Sequence, residues 1–186
     1  MNLTKYILAA ALAFGTVMNS NAADYVIDKP GQHAYITFKA SHLGYSYILG
    51  HFEEFEGKFT HNPENPAASS AKVTIKTNSL DTDHAERDKH LKGSEYFDAD
   101  KYPEIQFVST GFSGDAKAGK LKGKLTVHGV TRVVELDVRQ IGEGKDPWGG
   151  YRSGFEGIVT LAAGDYGLPA WIGDVEVTLI VEGVRQ

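Results

Sequence analysis

The sequence contains no cysteine. That excludes a disulfide-stapled scaffold and any thiolate metal site. It also lacks a basic stripe: the formal net charge is −5, and such a surface repels phosphate backbones, so nucleic acid is not an expected partner. Long hydrophobic runs are scarce. Tyr6–Val17 is the one such run, roughly a dozen residues against the roughly 20 needed to cross a bilayer. With Lys5 before it and Ser20-Asn21-Ala22 after it, it reads as a cleavable export leader over residues 1–22. An uncleaved anchor is the alternative. The mature chain, 23–186, then has 186 − 22 = 164 residues, enough to bury a sizeable core within one domain. Losing Lys5 and no acid moves the charge from −5 to −6. There is no linker, internal repeat or low-complexity tract.

Catalytic signatures are missing as well. The chain has no Gly-x-Ser-x-Gly, no phosphate-cradling glycine loop, no EF-hand loop and no His-Glu-x-x-His. Ser69-x-x-Lys72 has the spacing of an activated serine, but it leads into a strand and has no partner motifs.

What is present is period-two alternation, the mark of strands with one buried face. Ala34, Ile36, Phe38 and Ala40 alternate with Tyr35, Thr37 and Lys39. The same pattern recurs at Val73 and Ile75, at Leu121 to Val127, at Val134 to Val138, at Tyr151 to Leu161, and at Val175 to Val181. Adding residues 45–60 and 104–112 gives about eight strands. Short turn-rich connections at 62–68, 114–119, 128–131 and 142–150 imply antiparallel pairing. A closed barrel and a sandwich both satisfy the pattern. In 45–60, Phe55 and Phe59 share a parity that Phe52 breaks, so either a bulge near Glu53–Glu54 brings all three rings inside or Phe52 stays outside. Glu54 and Glu56 should face water.

One segment, "DTDHAERDKHL" (81–91), departs from the alternation and reads as a short helix over about 82–92, capped by Asp81 or Asp83 and stopped at Gly93. Asp83 and Arg87, His84 and Asp88, and Glu86 and His90 fall at i,i+4 spacing. His84 and His90 project about 120° apart on a helix, so a metal there would need a third donor from His42, His51 or His128. A metal-dependent hydrolase centred on His84, Asp88 and His90 is thus an alternative reading, and a solvated helix the default. Small residues among large ones on the inward parity (Ala34, Ala40, Gly57, Gly123, Ser153, Gly157) either leave room for a cavity or mark strand bends.

The mature chain resembles the YceI family of bacterial periplasmic, lipocalin-like polyisoprenoid-binding proteins. The likeness runs from "ADYVIDKPGQHAYITFKASHLGYS" through His84-Ala85-Glu86-Arg87-Asp88-Lys89-His90-Leu91, Phe97-Asp98 and Lys101-Tyr102-Pro103 to "VEVTLIVEGV". The resemblance implies an all-β, eight-stranded antiparallel lipocalin-like barrel, periplasmic and without catalytic residues. It implies no cofactor beyond a bound isoprenoid or other long-chain lipid. The expected apolar wall is Ile36, Phe38, Phe55, Phe59, Val73, Ile75, Phe107, Leu125, Leu136, Phe155, Val159 and Leu179, with Arg87 and His90 as head-group contacts and no metal ligands. Partners would be the lipid and, in passing, inner-membrane proteins or lipids; a dimer stays open, and a filled structural barrel is a further alternative. Relatives usually carry a basic residue before the Asp-aromatic-Gly, where this chain has Ala162, Ala163 and Gly164 ahead of Asp165-Tyr166-Gly167, which points to a neutral head group. Burial contributes about 0.8 kcal/mol per CH₂, so a long chain needs little polar recognition.

Overall fold

Alternating side chains and short turns give eleven strand segments in the computed structural model, which describes residues 22–186. They are β1 (Ala23–Ile27), β2 (Tyr35–His42), β3 (Ser46–Phe52), β4 (Phe55–His61), β5 (Ser70–Lys76), β6 (Leu80–Asp81), β7 (Glu104–Gly114), β8 (Ala118–Val127), β9 (Val130–Lys145), β10 (Tyr151–Ala162) and β11 (Asp174–Arg185), with one α-helix, α1 (Ala85–Lys92). The leader expected over 1–22 lies, but for its last residue, outside the described residues.

Three of the strands are broken in the middle. β11 pairs with β2 through Val175–Ile180 and with β1 through Gly183–Arg185, so β1 and β2 are two halves of one strand. Likewise β1 pairs with β4 while β2 pairs with β3, and β4 pairs with β5 while β3 pairs with β6. With each broken strand counted once, eight antiparallel strands close on themselves in chain order. The barrel, not the sandwich, is the architecture, and closure removes the free edges.

The break between β3 and β4 resolves the parity conflict. Glu53 donates its N–H to the Ser79 carbonyl, and Glu54 accepts from the Lys76 N–H. This irregularity resets the register, so Phe52, Phe55 and Phe59 are all buried while Glu54 and Glu56 face water. The turn expected at 142–150 is shorter, because β9 continues to Lys145 opposite Tyr151. Asp146 closes it by accepting the N–H groups of Trp148 and Gly150.

The helix also begins later than expected, at Ala85 rather than near 82. Asp83 has a left-handed backbone (φ 59°), which no helical residue adopts, and its N–H is taken by the Asp81 carboxylate at 2.7 Å. The cap is therefore His84, extended, whose Nδ1 accepts the Arg87 N–H at 3.2 Å. Gly93 ends the helix as expected.

The two ends of the barrel differ. At one lie the β2–β3 hairpin, α1 and the β10–β11 connection, which holds two short 3-10 turns, Ala163–Tyr166 and Ala170–Ile172. The other is floored by rings: Tyr25 stacks on Phe59 (4.9 Å), and Phe155 meets Phe59 (5.4 Å) and His61 (5.1 Å) edge-on.

Candidate functional site

Several inward-facing apolar residues are only half-buried: Phe38, Val134, Val159, Leu161, Val177 and Leu179. In a filled barrel they would be covered by one another. Here the surface they leave bare is the wall of a cavity of about 620 Å³. The barrel is hollow.

Nine of the twelve wall residues expected from the sequence line this cavity: Ile36, Phe38, Val73, Ile75, Phe107, Leu125, Leu136, Val159 and Leu179. Phe59 and Phe155 sit deeper and line a second, smaller cavity of about 110 Å³ near the ring floor. Phe55 lines neither; it is packed in the core with the Lys29 ammonium 5.0 Å from its ring centre. Phe52, Phe97, Ile105, Val177 and Tyr166 also line the large cavity. Val177 shares the inward parity of Leu179 and was open to detection. Phe97 stands in the irregular segment after α1, where no periodicity applies, and reaches Phe52 edge-on at 6.4 Å.

The small residues divide. Ala40 lines the large cavity and Gly157 the small one. Gly57 and Gly123 instead admit neighbours: a β-carbon on Gly57 would stand 2.7 Å from Ile27 Cδ1, and one on Gly123 2.4 Å from the Phe107 ring.

Ionisable lining residues gather at the helical end, on His42, His84, Glu86, Arg87 and His90. None of the i,i+4 pairs read from the sequence forms. Arg87 turns to Thr82, Nη2 donating to its carbonyl at 2.7 Å and Nε to its hydroxyl at 2.8 Å. The Asp88 carboxylate accepts from the Thr82 N–H at 2.9 Å and from its hydroxyl. Thr82, only 4% exposed, offers a buried partner that outcompetes a solvated pair on the helix surface. The hydrolase alternative needs three donors to converge at 84–90. Among the described residues such groups converge elsewhere, at Asp28, His33 and Glu182 and at His51, Glu53 and Asp81. The first of these is already occupied by the Arg152 guanidinium, bonded to Asp28, Glu182 and Asp146.

The lip at this end is apolar. The β2–β3 hairpin turns at Leu43 and Gly44, both at positive φ (54° and 77°), closed by the Tyr45 N–H on the His42 carbonyl. A leucine in the left-handed region is strained, and here its side chain is 70% exposed, beside Tyr45 at 88% and with Trp171 at 70% on the facing turn. Tyr166 lies inside the lip with its hydroxyl buried and unpartnered, and burial raises its pKa.

An eight-stranded hollow barrel with one helix at its mouth agrees with comparison to known proteins. Residues 25–183 match the YceI-like domain. The chain belongs to the YceI-like family. A UPF0312 protein of Pseudomonas aeruginosa (strain LESB58) is 48% identical over 185 residues, covering 95% of this chain and 97% of that one. One from Pectobacterium carotovorum is 44% identical over 183 residues, covering 96% and 95%. Among solved structures, the YCEI protein of Campylobacter jejuni superposes on this YceI-like chain with a TM-score of 0.71 at 28% identity, covering 78% of this chain and 90% of that one. BcnA of Burkholderia cenocepacia gives 0.74 at 20% identity, covering 84% and 98%. A polyisoprenoid binding domain from Saccharophagus degradans gives 0.63 at 17%, covering 87% and 98%. These last two establish likeness of fold alone.

Proposed function

We propose that this YceI-like protein is a periplasmic, non-catalytic binding protein that takes up a long isoprenoid-type chain in its barrel and carries or sequesters it. The observation that carries the reading is the large cavity, whose wall is predominantly apolar and whose charged groups are confined to the mouth. Such a container suits a ligand held by burial of its chain with few polar contacts. The Saccharophagus domain's name gives the same direction to the ligand class. The leader-like residues 1–22 support export.

The head group we infer is neutral, a quinone or an amide for instance. Arg87 and Glu86 offset one another in formal charge, two of the Arg87 N–H donors are taken by Thr82, and Ala162, Ala163 and Gly164 supply no cation. His90 is the head-group contact we retain. Leu43, Tyr45 and Trp171, exposed at the lip, suit transient contact with a membrane while the ligand enters. Organic extraction of protein purified from its native compartment, followed by mass spectrometry, tests the reading. A stoichiometric isoprenoid-type lipid is expected; the absence of any lipid, with no uptake of a fluorescent apolar probe, would overturn it.

A further inference from the structure

The two cavities meet at one layer of side chains. Val73, Phe107, Leu136 and Leu179 line both, one residue each from β5, β7, β9 and β11. Beyond that layer Leu121, Val138, Phe155 and Val181 point into the barrel yet are only half-buried, because the small cavity faces them. Phe107 is the largest member of the layer. Its ring lies on the bare backbone of Gly123, where a β-carbon would stand 2.4 Å away, beside its cross-strand partner Leu125 on β8. On its far side the small cavity is bordered by Asp115, Lys117 and Ala118 of the exposed β7–β8 turn, so it opens toward solvent at the ring end of the barrel.

We propose that the small cavity is the terminal pocket of the same binding site, and that Phe107 is the partition that sets how long a chain the barrel accepts. The inference rests on the lipid-binding reading above and adds chain length as the selected property. The ligand class is a linear or isoprenoid chain whose tip passes the layer when the Phe107 ring turns aside. A shorter chain stops in the large cavity. A longer one continues to gain apolar burial until it passes Phe59 and Phe155 and reaches the exposed β7–β8 turn, where further carbons are no longer covered.

A homologous series of linear fatty alcohols, whose head group is neutral like the one inferred above, tests this when each competes with a fluorescent naphthylamine probe for the mature protein. Affinity is expected to rise with length, by about fourfold per fully buried methylene, and then to level off. Leu121→Trp fills the small cavity from a residue that does not line the large one. It should move the levelling-off to shorter alcohols and leave the affinities of the shortest ones unchanged. Val138→Phe fills the same space from β9 should the tryptophan variant fail to fold. Phe107→Leu thins the partition and should move the levelling-off to longer alcohols. A levelling-off at the same length in the wild type and in a folded filled variant overturns the proposal and leaves the barrel a lipid binder. Failure of the probe and of every alcohol to bind the wild type overturns the lipid-binding reading itself.

Discussion

Arg87 donates to the backbone carbonyl of Thr82 at 2.7 Å, so the most basic group at the mouth faces the strand end from which its own helix departs. With Asp88 accepting from the same threonine, α1 is bolted to β6 through one buried residue. Arg87 is expected to act by positioning α1. Arg87→Ala is expected to cost about 2 kcal/mol and to speed amide exchange across 82–92. Arg87→Lys should do the same, since a single ammonium cannot reproduce the two-point fork. Rescue of both exchange and lipid retention by lysine would instead assign Arg87 to the head group as a point charge.

The wall and the core should separate under mutation. Phe38 borders the large cavity and Phe55 does not. Phe38→Glu places a carboxylate in the path of the chain and is expected to abolish probe uptake in a protein with unchanged circular dichroism. Phe55→Leu is expected to cost about 1 kcal/mol in urea unfolding and to leave the profile of extracted lipid as it was.

Tyr166 gives a prediction in the opposite direction. Its buried hydroxyl has no partner, and leaving such a group unpaired costs about 1–3 kcal/mol. Tyr166→Phe is therefore expected to hold or raise Tm. A clear drop would mean that the hydroxyl has a partner in the protein in solution.

The Arg152 cluster makes the fold sensitive to acid. Asp28 is held below the usual carboxylate range first by its hydrogen bond from Arg152, against burial, with the Gly31 N–H helping. Asp146 is lowered first by the Gly150 N–H, with Arg152 adding to it. Each is more acidic folded than unfolded, so as pH falls below about 4 the unfolded chain takes up protons first. The contribution is complete above that range and is lost as pH falls through the folded values. Arg152→Met should lower stability at neutral pH and flatten the acid limb in urea melts taken across pH.

His61 acts in a higher window. Burial lowers its pKa, with Glu143 opposing, so the unfolded chain protonates first once pH drops below about 6.5. Stability should decline with acidification from there, and His61→Leu should remove that decline while keeping the acid limb of the Arg152 cluster.

The strands were legible because each carries its burial in its own alternation, and their antiparallel order follows from short connections; closure into a ring rather than a sandwich depends on the pairing of β11 with β1 and β2, which no local pattern encodes. The interior was less so. Phe55 and Phe59 share one parity in one strand, yet one is core and the other lines a cavity. That difference depends on whether neighbouring strands supply enough volume, which no single strand encodes. The helix segment misled for a related reason. Its charges satisfy i,i+4 spacing, but Thr82 lies before the helix, and only the β6–α1 connection brings it under Arg87 and Asp88.

The seam of the barrel bears on how the molecule can be handled. Ala23 pairs with His61, and Gln186 donates to the Asp24 carbonyl, so both ends of the described chain emerge beside the ring floor. The mouth is at the opposite pole. A tag, fusion partner or surface linker joined directly before Ala23 or after Gln186 should therefore present the mouth outward and unobstructed. Linking Gln186 to Ala23 and cutting at the exposed Gly149 turn is a rearrangement that keeps every strand beside its neighbours.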